Sequence, residues 1–333
     1  MRTFTGFTVA VLLACVSRAE GVVKIGMIGL DTSHCLEFTK AFNATNPAPE
    51  YAGFRVVAVY PQGSRDIASS TNRVPGYLEK IKPMGVELVG SIDELLTRCD
   101  AVLLESNDGR VHLEQALPVF KSGKRVFIDK PIAGTLAQCV ALFEAAKRYH
   151  APMFSSSSLR YTTNTSVILS GKYGAVLGAE TYSPCSLEPT HPDLFWYGIH
   201  GVEQLFTLMG TGCETVVRVS TPGTDVAVGT WKDGRIGTFR GNRASVYGFG
   251  ADVFFAKSVQ RVDDYKGYGL MLVEIAKFFK TGVAPVSPEE TIEIFAFMEA
   301  ADESKRRGGV PVSVADVLSK ARAEAGTLLG DKK

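Results

Sequence analysis

The sequence has little that would indicate a nucleic-acid partner or a membrane-spanning protein. Its 333 residues carry 36 basic and 35 acidic side chains with no block of like charge, so the basic surface of a nucleic-acid-binding protein is missing. No apolar run approaches the about 20 residues that a transmembrane helix needs. We therefore expect a small neutral or weakly charged ligand, no nucleic acid and no transmembrane helix.

Cysteines are few and scattered. Apart from Cys15 near the N-terminus, the thiols are Cys35, Cys99, Cys139, Cys185 and Cys213. There is no C-x-x-C pair, and an odd number of thiols inside mostly apolar stretches favours buried free cysteines over a disulfide framework or a zinc site. From this pattern we predict no metal site.

The N-terminal segment has the features of a secretory signal. Arg2 precedes an apolar run over residues 7 to 16, and the small residues Ser17 and Ala19 have the spacing that signal peptidase prefers. We therefore predict a bacterial-type signal peptide over residues 1 to 21 and an exported, periplasmic or envelope-associated protein. A lipoprotein-like box makes a lipid anchor at Cys15 an alternative, and an apolar N-terminal helix or strand is another.

The next segment predicts a strand, a sharp turn and the start of a helix. Residues 22 to 28 are nearly all apolar, as expected of a buried parallel strand, and Gly29 follows them. A dinucleotide-binding domain has its G-x-G-x-x-G phosphate loop here, but Asp31 takes the second glycine position and His34 the third. The candidate cofactor-binding residues of this loop are Gly29, Asp31, Thr32, Ser33 and His34.

The second predicted strand, residues 54 to 60, is not followed by the acidic residue that usually holds the ribose hydroxyls of NAD. Ser64 and Arg65 follow it instead. A hydroxyl and a guanidinium can both donate hydrogen bonds to a 2'-phosphate, so the pair favours NADP over NAD. A surface turn without a ligand is the alternative.

Strands and helices alternate through residues 22 to 157. This alternation predicts a Rossmann-type, doubly wound parallel sheet with helices on both faces, whose ligands bind at the carboxyl ends of the strands. Asn107 and Lys130 each follow such a strand. A strand-end salt bridge is the alternative role for Lys130.

The second half, residues 158 to 333, has longer extended runs interrupted by helices. The pair Asp233-Gly234 lies between two of these runs and is typical of a hairpin turn. We predict a C-terminal α+β domain for substrate binding and dimerisation, with an open, largely antiparallel sheet. Because such a sheet often pairs with another subunit, we expect a homo-oligomer.

One helix of the second half, predicted to begin at Pro192, combines several side chains suited to chemistry. At 100° per residue, one face presents Trp196, Tyr197, His200 and Glu203. An aromatic ring, an imidazole and a carboxylate on one face could stack on a substrate and exchange protons with it. An ordinary hydrogen bond between His200 and Glu203 is the alternative.

Several motifs, in this order and spacing, resemble the Gfo/Idh/MocA family, named for glucose-fructose oxidoreductase and inositol dehydrogenase. The D-K-P sequence at residues 129 to 131 is similar to the strand-end E-K-P of the family, and G-I-H at residues 198 to 200 is similar to its G-x-H. Asn107, with His112 after it, resembles the T-P-N-x-x-H segment on the cofactor side. The C-terminal helices also resemble the family, and the likeness covers residues 22 to 314.

The resemblance implies an NAD(P)-dependent oxidoreductase that acts on a sugar, polyol or glycoside, or a redox-neutral enzyme that retains its cofactor. It implies that Lys130 and His200 flank the reacting carbon, one of them taking the hydroxyl proton, and that Lys130 also contacts the cofactor. The usual aspartate four residues before the histidine is replaced by Trp196. Tyr197 and Glu203 could take its role.

Asp31 is the most serious departure from the pattern. A carboxylate about 4 Å from a pyrophosphate oxygen costs roughly 4 kcal/mol at an effective dielectric constant of about 20. Asp31 must therefore turn away, for instance to cap the helix, or cofactor binding is altered or lost. A signal without a twin-arginine pair also exports an unfolded chain to a compartment poor in nicotinamide cofactors. Both points favour the alternative function, a non-catalytic exported carbohydrate-binding protein that kept the fold.

Overall fold

The computed structural model describes residues 21–245 and 247–330. The predicted signal peptide lies outside the described residues except for Gly21, and Cys15 lies outside them as well. Among the residues that are described, none of the helices has both the length and the apolar character that a membrane crossing requires. The five cysteines in these ranges are buried and free, which confirms the prediction of buried thiols.

The first part of the chain forms a six-stranded sheet covered by helices. All its strand pairs are parallel, and the order is β3-β2-β1-β4-β5-β6. The elements are β1 (Val23–Ile28), α1 (Ser33–Phe42), β2 (Phe54–Tyr60), α2 (Ala68–Thr71), α3 (Val74–Ile81), β3 (Glu87–Leu88), α4 (Ile92–Arg98), β4 (Ala101–Leu104), α5 (His112–Lys121), β5 (Arg125–Ile128), α6 (Leu136–Arg148) and β6 (Met153–Ser155). The order and direction confirm the predicted doubly wound sheet.

The strand order reverses between β1 and β4, which creates a crevice at their carboxyl ends. Gly29 makes the turn after β1 possible. Its φ of +87° favours glycine, and a Cβ atom there would lie 2.4 Å from the backbone nitrogen of Ser106. The loops after β1 and β4 therefore touch directly at the edge of the crevice.

The second part forms a seven-stranded sheet in the order β12-β11-β7-β10-β9-β8-β13. Only the β7 and β10 pair is parallel, and the pairs otherwise described are antiparallel, which confirms the predicted largely antiparallel sheet. The elements are α7 (Thr163–Leu169), β7 (Gly178–Pro184), α8 (Asp193–Trp196), α9 (Ile199–Met209), β8 (Cys213–Thr221), β9 (Thr224–Trp231), β10 (Ile236–Asn242), β11 (Gly250–Phe255), β12 (Ser258–Val262), α10 (Gly269–Thr281), α11 (Pro288–Arg306), β13 (Val312–Ser313) and α12 (Val314–Leu328).

The hairpin predicted at Asp233-Gly234 is present between β9 and β10. Gly234 has a φ of +84°, and Thr230 pairs with Ile236 across the turn. Along β9 and β10 every second residue is buried, because one face of the sheet packs against helices α9 and α11.

The helix predicted to begin at Pro192 is broken in two. Helix α8 ends at Trp196, and α9 begins at Ile199 after Tyr197 adopts a φ of −131°. Gly198 permits the break, since a Cβ atom on it would lie 2.9 Å from the carbonyl oxygen of Leu194. Trp196 and Tyr197 therefore do not share a helix face with His200, and α9 itself is buried throughout.

Helix α10 follows the second sheet but packs against the first one. The Phe278 ring lies 4.9 Å from that of Phe154, and Arg125 donates a hydrogen bond to the carbonyl oxygen of Phe279. This packing fixes the two sheets around the crevice. The domain boundary between residues 157 and 158 stays a prediction.

Candidate functional site

A cavity of about 500 Å³ lies between the two parts of the chain, at the carboxyl ends of the parallel strands. Both parts contribute to its wall. The predicted site residues that line it are Thr32, Ser33, His34, Asn107, Lys130, Tyr197 and His200. The cavity is therefore the place where the loop after β1, the D-K-P segment and the start of α9 meet.

The Asp31 carboxylate is fully buried and turns away from the start of α1. One oxygen accepts a hydrogen bond from the backbone N–H of Ser64 and the other from that of Asn107, both at 2.9 Å. Gly63 is required for this approach, because a Cβ atom on it would lie 2.2 Å from the carboxylate. Burial raises the pKa of Asp31, and the two N–H donors oppose that shift.

This arrangement corrects the expectation that Asp31 caps the helix. The capping position of α1 is Thr32, and among the described residues no side chain accepts a hydrogen bond from the first turn. That turn also contains no acidic residue, so its N–H groups and positive dipole end remain available to an anion.

The structure places Ser64 and Arg65 away from the cavity, against the prediction that they face a 2'-phosphate. The Ser64 hydroxyl donates to Asp108 at 3.3 Å and accepts from the N–H of Ile67 at 3.1 Å. The Arg65 side chain is 63% exposed and pairs with Glu114 at 3.1 Å. The Ser64 hydroxyl thus stabilises the loop after β2, whereas the exposed Arg65 pair contributes little.

Arg73, unlike Arg65, lines the cavity, and sequence reasoning missed it. Its guanidinium donates to the backbone carbonyl oxygen of Asp31 at 3.3 Å, beside the start of α1. Ser69 lines the same wall. Because α2 and α3 were not predicted, no sequence signal placed these side chains at the phosphate loop.

Lys130 and His200 approach the cavity from different parts of the chain, and each is only 8% exposed. His200 Nδ1 lies 2.8 Å from the Ser157 hydroxyl, so Nε2 is the ring nitrogen that does not take part in this hydrogen bond. Burial, followed by the charges of Lys130 and His34, holds the pKa of His200 well below its usual range. The imidazole is therefore neutral near pH 7, and Nε2 has a lone pair for a substrate hydroxyl in the tautomer whose Nδ1–H donates to Ser157.

Aromatic side chains cover the side of the cavity that the second part of the chain forms. The Tyr197 hydroxyl hydrogen-bonds that of Tyr247, and burial raises the pKa of Tyr197. Trp196 also lines the cavity, with its ring 5.0 Å from that of His191. Sequence reasoning missed further aromatic residues of the cavity wall, among them Phe249, Tyr265 and Tyr268. They lie in irregular segments without a periodic pattern.

Glu203 and His112, two further predicted site residues, lie behind the cavity wall. Glu203 accepts hydrogen bonds from the Ser157 N–H at 2.8 Å and from Arg160 at 3.0 Å. Burial raises its pKa and Arg160 opposes that shift. Glu203 thus holds the segment whose Ser157 orients His200.

His112 is equally remote from the cavity. It is fully buried, and its ring nitrogens lie 2.7 Å from the carbonyl oxygen of Ser106 and 3.0 Å from that of Ile132. Burial lowers the pKa of His112, so the neutral ring has one N–H to donate to one of these carbonyl oxygens, and it packs between the loops after β4 and β5. It supports the loops that carry Asn107 and Lys130.

His34 belongs to a buried group with two carboxylates. Its Nδ1 lies 2.9 Å from an Asp129 oxygen and 3.9 Å from a Glu105 oxygen. Burial and then the Asp129 charge raise the pKa of Glu105 well above its usual range. Burial also acts to raise the pKa of Asp129, but His34 and Lys130 outweigh it and the net shift is downward.

Comparison with known proteins supports the dinucleotide-binding architecture. Residues 23–156 match the family model described as an oxidoreductase family with an NAD-binding Rossmann fold, Gfo/Idh/MocA. Inositol 2-dehydrogenase 3 of Saccharopolyspora erythraea is 32% identical over 125 residues, which are 38% of this chain and 31% of that protein. Inositol 2-dehydrogenase 2 of the same organism is 27% identical over 199 residues, 57% of this chain and 53% of that protein.

The chain thus spans between about a third and a half of the length of these curated relatives. The match to solved structures is more extensive. The scyllo-inositol dehydrogenase of Lactobacillus casei, solved with NAD(H) and scyllo-inositol, superimposes with a TM-score of 0.70 at 15% identity, covering 88% of this chain and 99% of that one. At this identity the likeness shows the fold, which is the one the sequence predicts.

The Asp31 contacts generate a stability prediction. In an Asp31→Asn variant the side-chain NH₂ faces one of the two backbone N–H donors, so one charge-assisted hydrogen bond is lost. We expect the free energy of unfolding to fall by about 1 to 3 kcal/mol, as measured by urea denaturation. Asp263→Asn removes a carboxylate that is 57% exposed and should change it by less than about 0.5 kcal/mol. Equal effects of the two substitutions would contradict this account.

Proposed function

We propose that the protein is an NAD(P)-dependent oxidoreductase of a sugar, polyol or glycoside, because residues 23–156 match the Gfo/Idh/MocA oxidoreductase family model with its NAD-binding Rossmann fold. One observation carries the proposal: Lys130 and His200 come from different parts of the chain and line one cavity beside the start of α1. A redox-neutral reaction with retained cofactor is a second form of the same proposal.

The residues around α1 fit a dinucleotide. The uncapped first turn of α1 suits a pyrophosphate, with Thr32 and Ser33 at the cavity wall and the Arg73 guanidinium on the carbonyl oxygen of Asp31 beside them. Asn107 lines the same wall. Since the Asp31 carboxylate is occupied by two N–H donors, it does not oppose the phosphates directly.

The reaction chemistry divides between cofactor and protein. A bound nicotinamide accepts or returns a hydride. Neutral His200 accepts the hydroxyl proton of the substrate, and the positive charge of Lys130 stabilises the oxygen as its proton leaves. The aromatic residues of the cavity offer a surface for the apolar face of a sugar-like ring. The inositol dehydrogenases among the relatives make a cyclic polyol the first class to test.

No contact among the described residues favours the alternative, a non-catalytic carbohydrate-binding protein.

We also propose self-association through the outer face of the second sheet, where Val219, Ile236 and Val259 are exposed. Light scattering on the purified chain tests this, and a strictly monomeric mass would refute it.

The proposal of an exported protein is supported by the sequence alone. Arg2, the apolar run over residues 7 to 16 and the small residues after it predict cleavage near Glu20, or lipidation of Cys15. We expect N-terminal sequencing and intact mass of the protein from its host to show a processed chain in the envelope fraction. A cytosolic chain that retains Met1 would refute export.

Cofactor binding is the first prediction of the proposed function. Arg73→Ala removes the cation beside α1, so we expect the affinity for NAD and NADP to fall by about 10- to 100-fold in calorimetric titrations of the purified chain. Arg65→Ala removes an exposed cation outside the cavity and should leave both affinities within a few fold. Thermal melting of both variants excludes unfolding as the cause. A larger loss for Arg65→Ala would reinstate its assignment to the 2'-phosphate.

Turnover is the second prediction. Lys130→Met and His200→Ala should each lower turnover by about 10²- to 10⁴-fold, because each removes a group at the reacting oxygen, while dinucleotide affinity stays within a few fold. The assay follows reduced nicotinamide across a panel of inositols and hexoses. Lys121→Met, on the exposed end of α5, is the matched control and should be unchanged. Near wild-type turnover in either variant would show that the residue is structural.

A further inference from the structure

Three buried side chains meet beneath the cavity floor without an evident partner for all their polar atoms. His34 comes from the start of α1, Glu105 from the end of β4 and Asp129 from the end of β5. One ligand atom from each lies within 4.8 Å of the other two. Glu105 and Asp129 are fully buried and His34 is 7% exposed.

The polar atoms of this cluster are incompletely satisfied. Within the described part of the chain, neither Glu105 oxygen has a hydrogen-bond partner, whereas the second Asp129 oxygen has its one close polar contact with His34 Nδ1, at 2.9 Å. A buried carboxylate without a hydrogen bond or a counter-charge is strongly unfavourable, so native proteins pair such groups or use them to coordinate metals. The buried Glu105 carboxylate, and with it the Asp129 carboxylate beside it, is therefore suited to a neutralising cation.

We propose that His34, Glu105 and Asp129 bind one divalent transition-metal cation such as Zn²⁺ or Mn²⁺. A divalent cation neutralises the two carboxylates, and imidazole with carboxylate oxygens is a donor set that both metals accept. Metal–ligand distances of about 2.0 to 2.2 Å place ligand atoms about 3 to 4 Å apart. The 2.9 Å and 3.9 Å separations from His34 Nδ1 to the two carboxylates agree with this spacing.

The surroundings of the cluster support coordination. The Lys130 backbone N–H donates to the other Asp129 oxygen at 2.8 Å and orients that carboxylate. The rings of Phe38 and Tyr268 lie 5.2 Å and 4.6 Å from the His34 ring and fix its direction. Three protein ligands leave a coordination position open, and His34 faces the cavity. The positive charge of Lys130 opposes a divalent cation here. A single proton held by the two carboxylates adds less positive charge, and it is the competing occupant.

Metal binding is tested on the full chain after treatment with a chelator. We expect titration calorimetry with Zn²⁺ or Mn²⁺ to show about one equivalent bound in the absence of dinucleotide and substrate. Glu105→Gln removes one anionic ligand and should weaken that binding by about 100-fold or more. Glu114→Gln neutralises a glutamate that is 70% exposed, and it should bind the metal as the wild type does.

A second readout guards against misfolding of the variant. We expect Glu105→Gln to retain the far-ultraviolet circular dichroism of the wild type, and the cobalt-substituted wild type to show a d–d absorption band that Glu105→Gln lacks. His34→Gln should weaken the same site as well. Binding that is absent from the wild type, or equal in Glu105→Gln and Glu114→Gln, overturns the proposal and assigns the cluster to a shared proton. Because no dinucleotide is used, either result leaves the proposed oxidoreductase function to its own tests.

Discussion

The carboxylate of Asp31 is the contact on which the crevice depends. It accepts backbone hydrogen bonds from the loop after β2 and from the loop after β4, while its own residue lies in the loop after β1. One side chain thus joins three loops at the point where the strand order reverses. Two charge-assisted hydrogen bonds to backbone N–H groups offset part of the cost of burying that charge. Asp31 breaks the glycine-rich pattern of the sequence, but its carboxylate holds together the three loops around the crevice.

Several other polar residues of this region act through a neighbour. Glu203 holds the segment that carries Ser157, and Ser157 in turn orients the His200 imidazole. His112 packs between two strand-end loops and donates its one N–H to a carbonyl oxygen of one of them. Since these side chains are buried behind the wall, they determine the position of the groups that face the cavity. A site held in this way by packed secondary structure keeps its geometry better than one built on loops alone.

The strand and helix pattern predicted both sheets, because a buried parallel strand and a D-G hairpin are local signals. It also predicted Lys130 and His200 at the cavity, since a residue after a parallel strand and a residue at a helix start have positions set by topology. Arg73 could not be found in this way, because its approach to the start of α1 depends on how α3 packs. For the same reason Arg65, although correctly spaced along the chain, turns to Glu114 on the surface. The break at Gly198 depends on contact with Leu194 and Cys185, which no helical period records.

His34, which takes the third glycine position of the loop, belongs to a buried group of charged side chains. Glu105 and His34 are far apart in sequence, yet His34 Nδ1 lies 3.9 Å from Glu105 and 2.9 Å from Asp129, and His34 lines the cavity beside the start of α1. At an effective dielectric constant of about 20, two like unit charges 4 Å apart repel by about 4 kcal/mol. Negative charge on this cluster would therefore oppose an anionic cofactor in the cavity, where Lys130 and Arg73 supply opposing positive charge. A proton or metal ion that neutralised the cluster would therefore favour dinucleotide binding, and a bound dinucleotide would favour the neutralised cluster by the same factor.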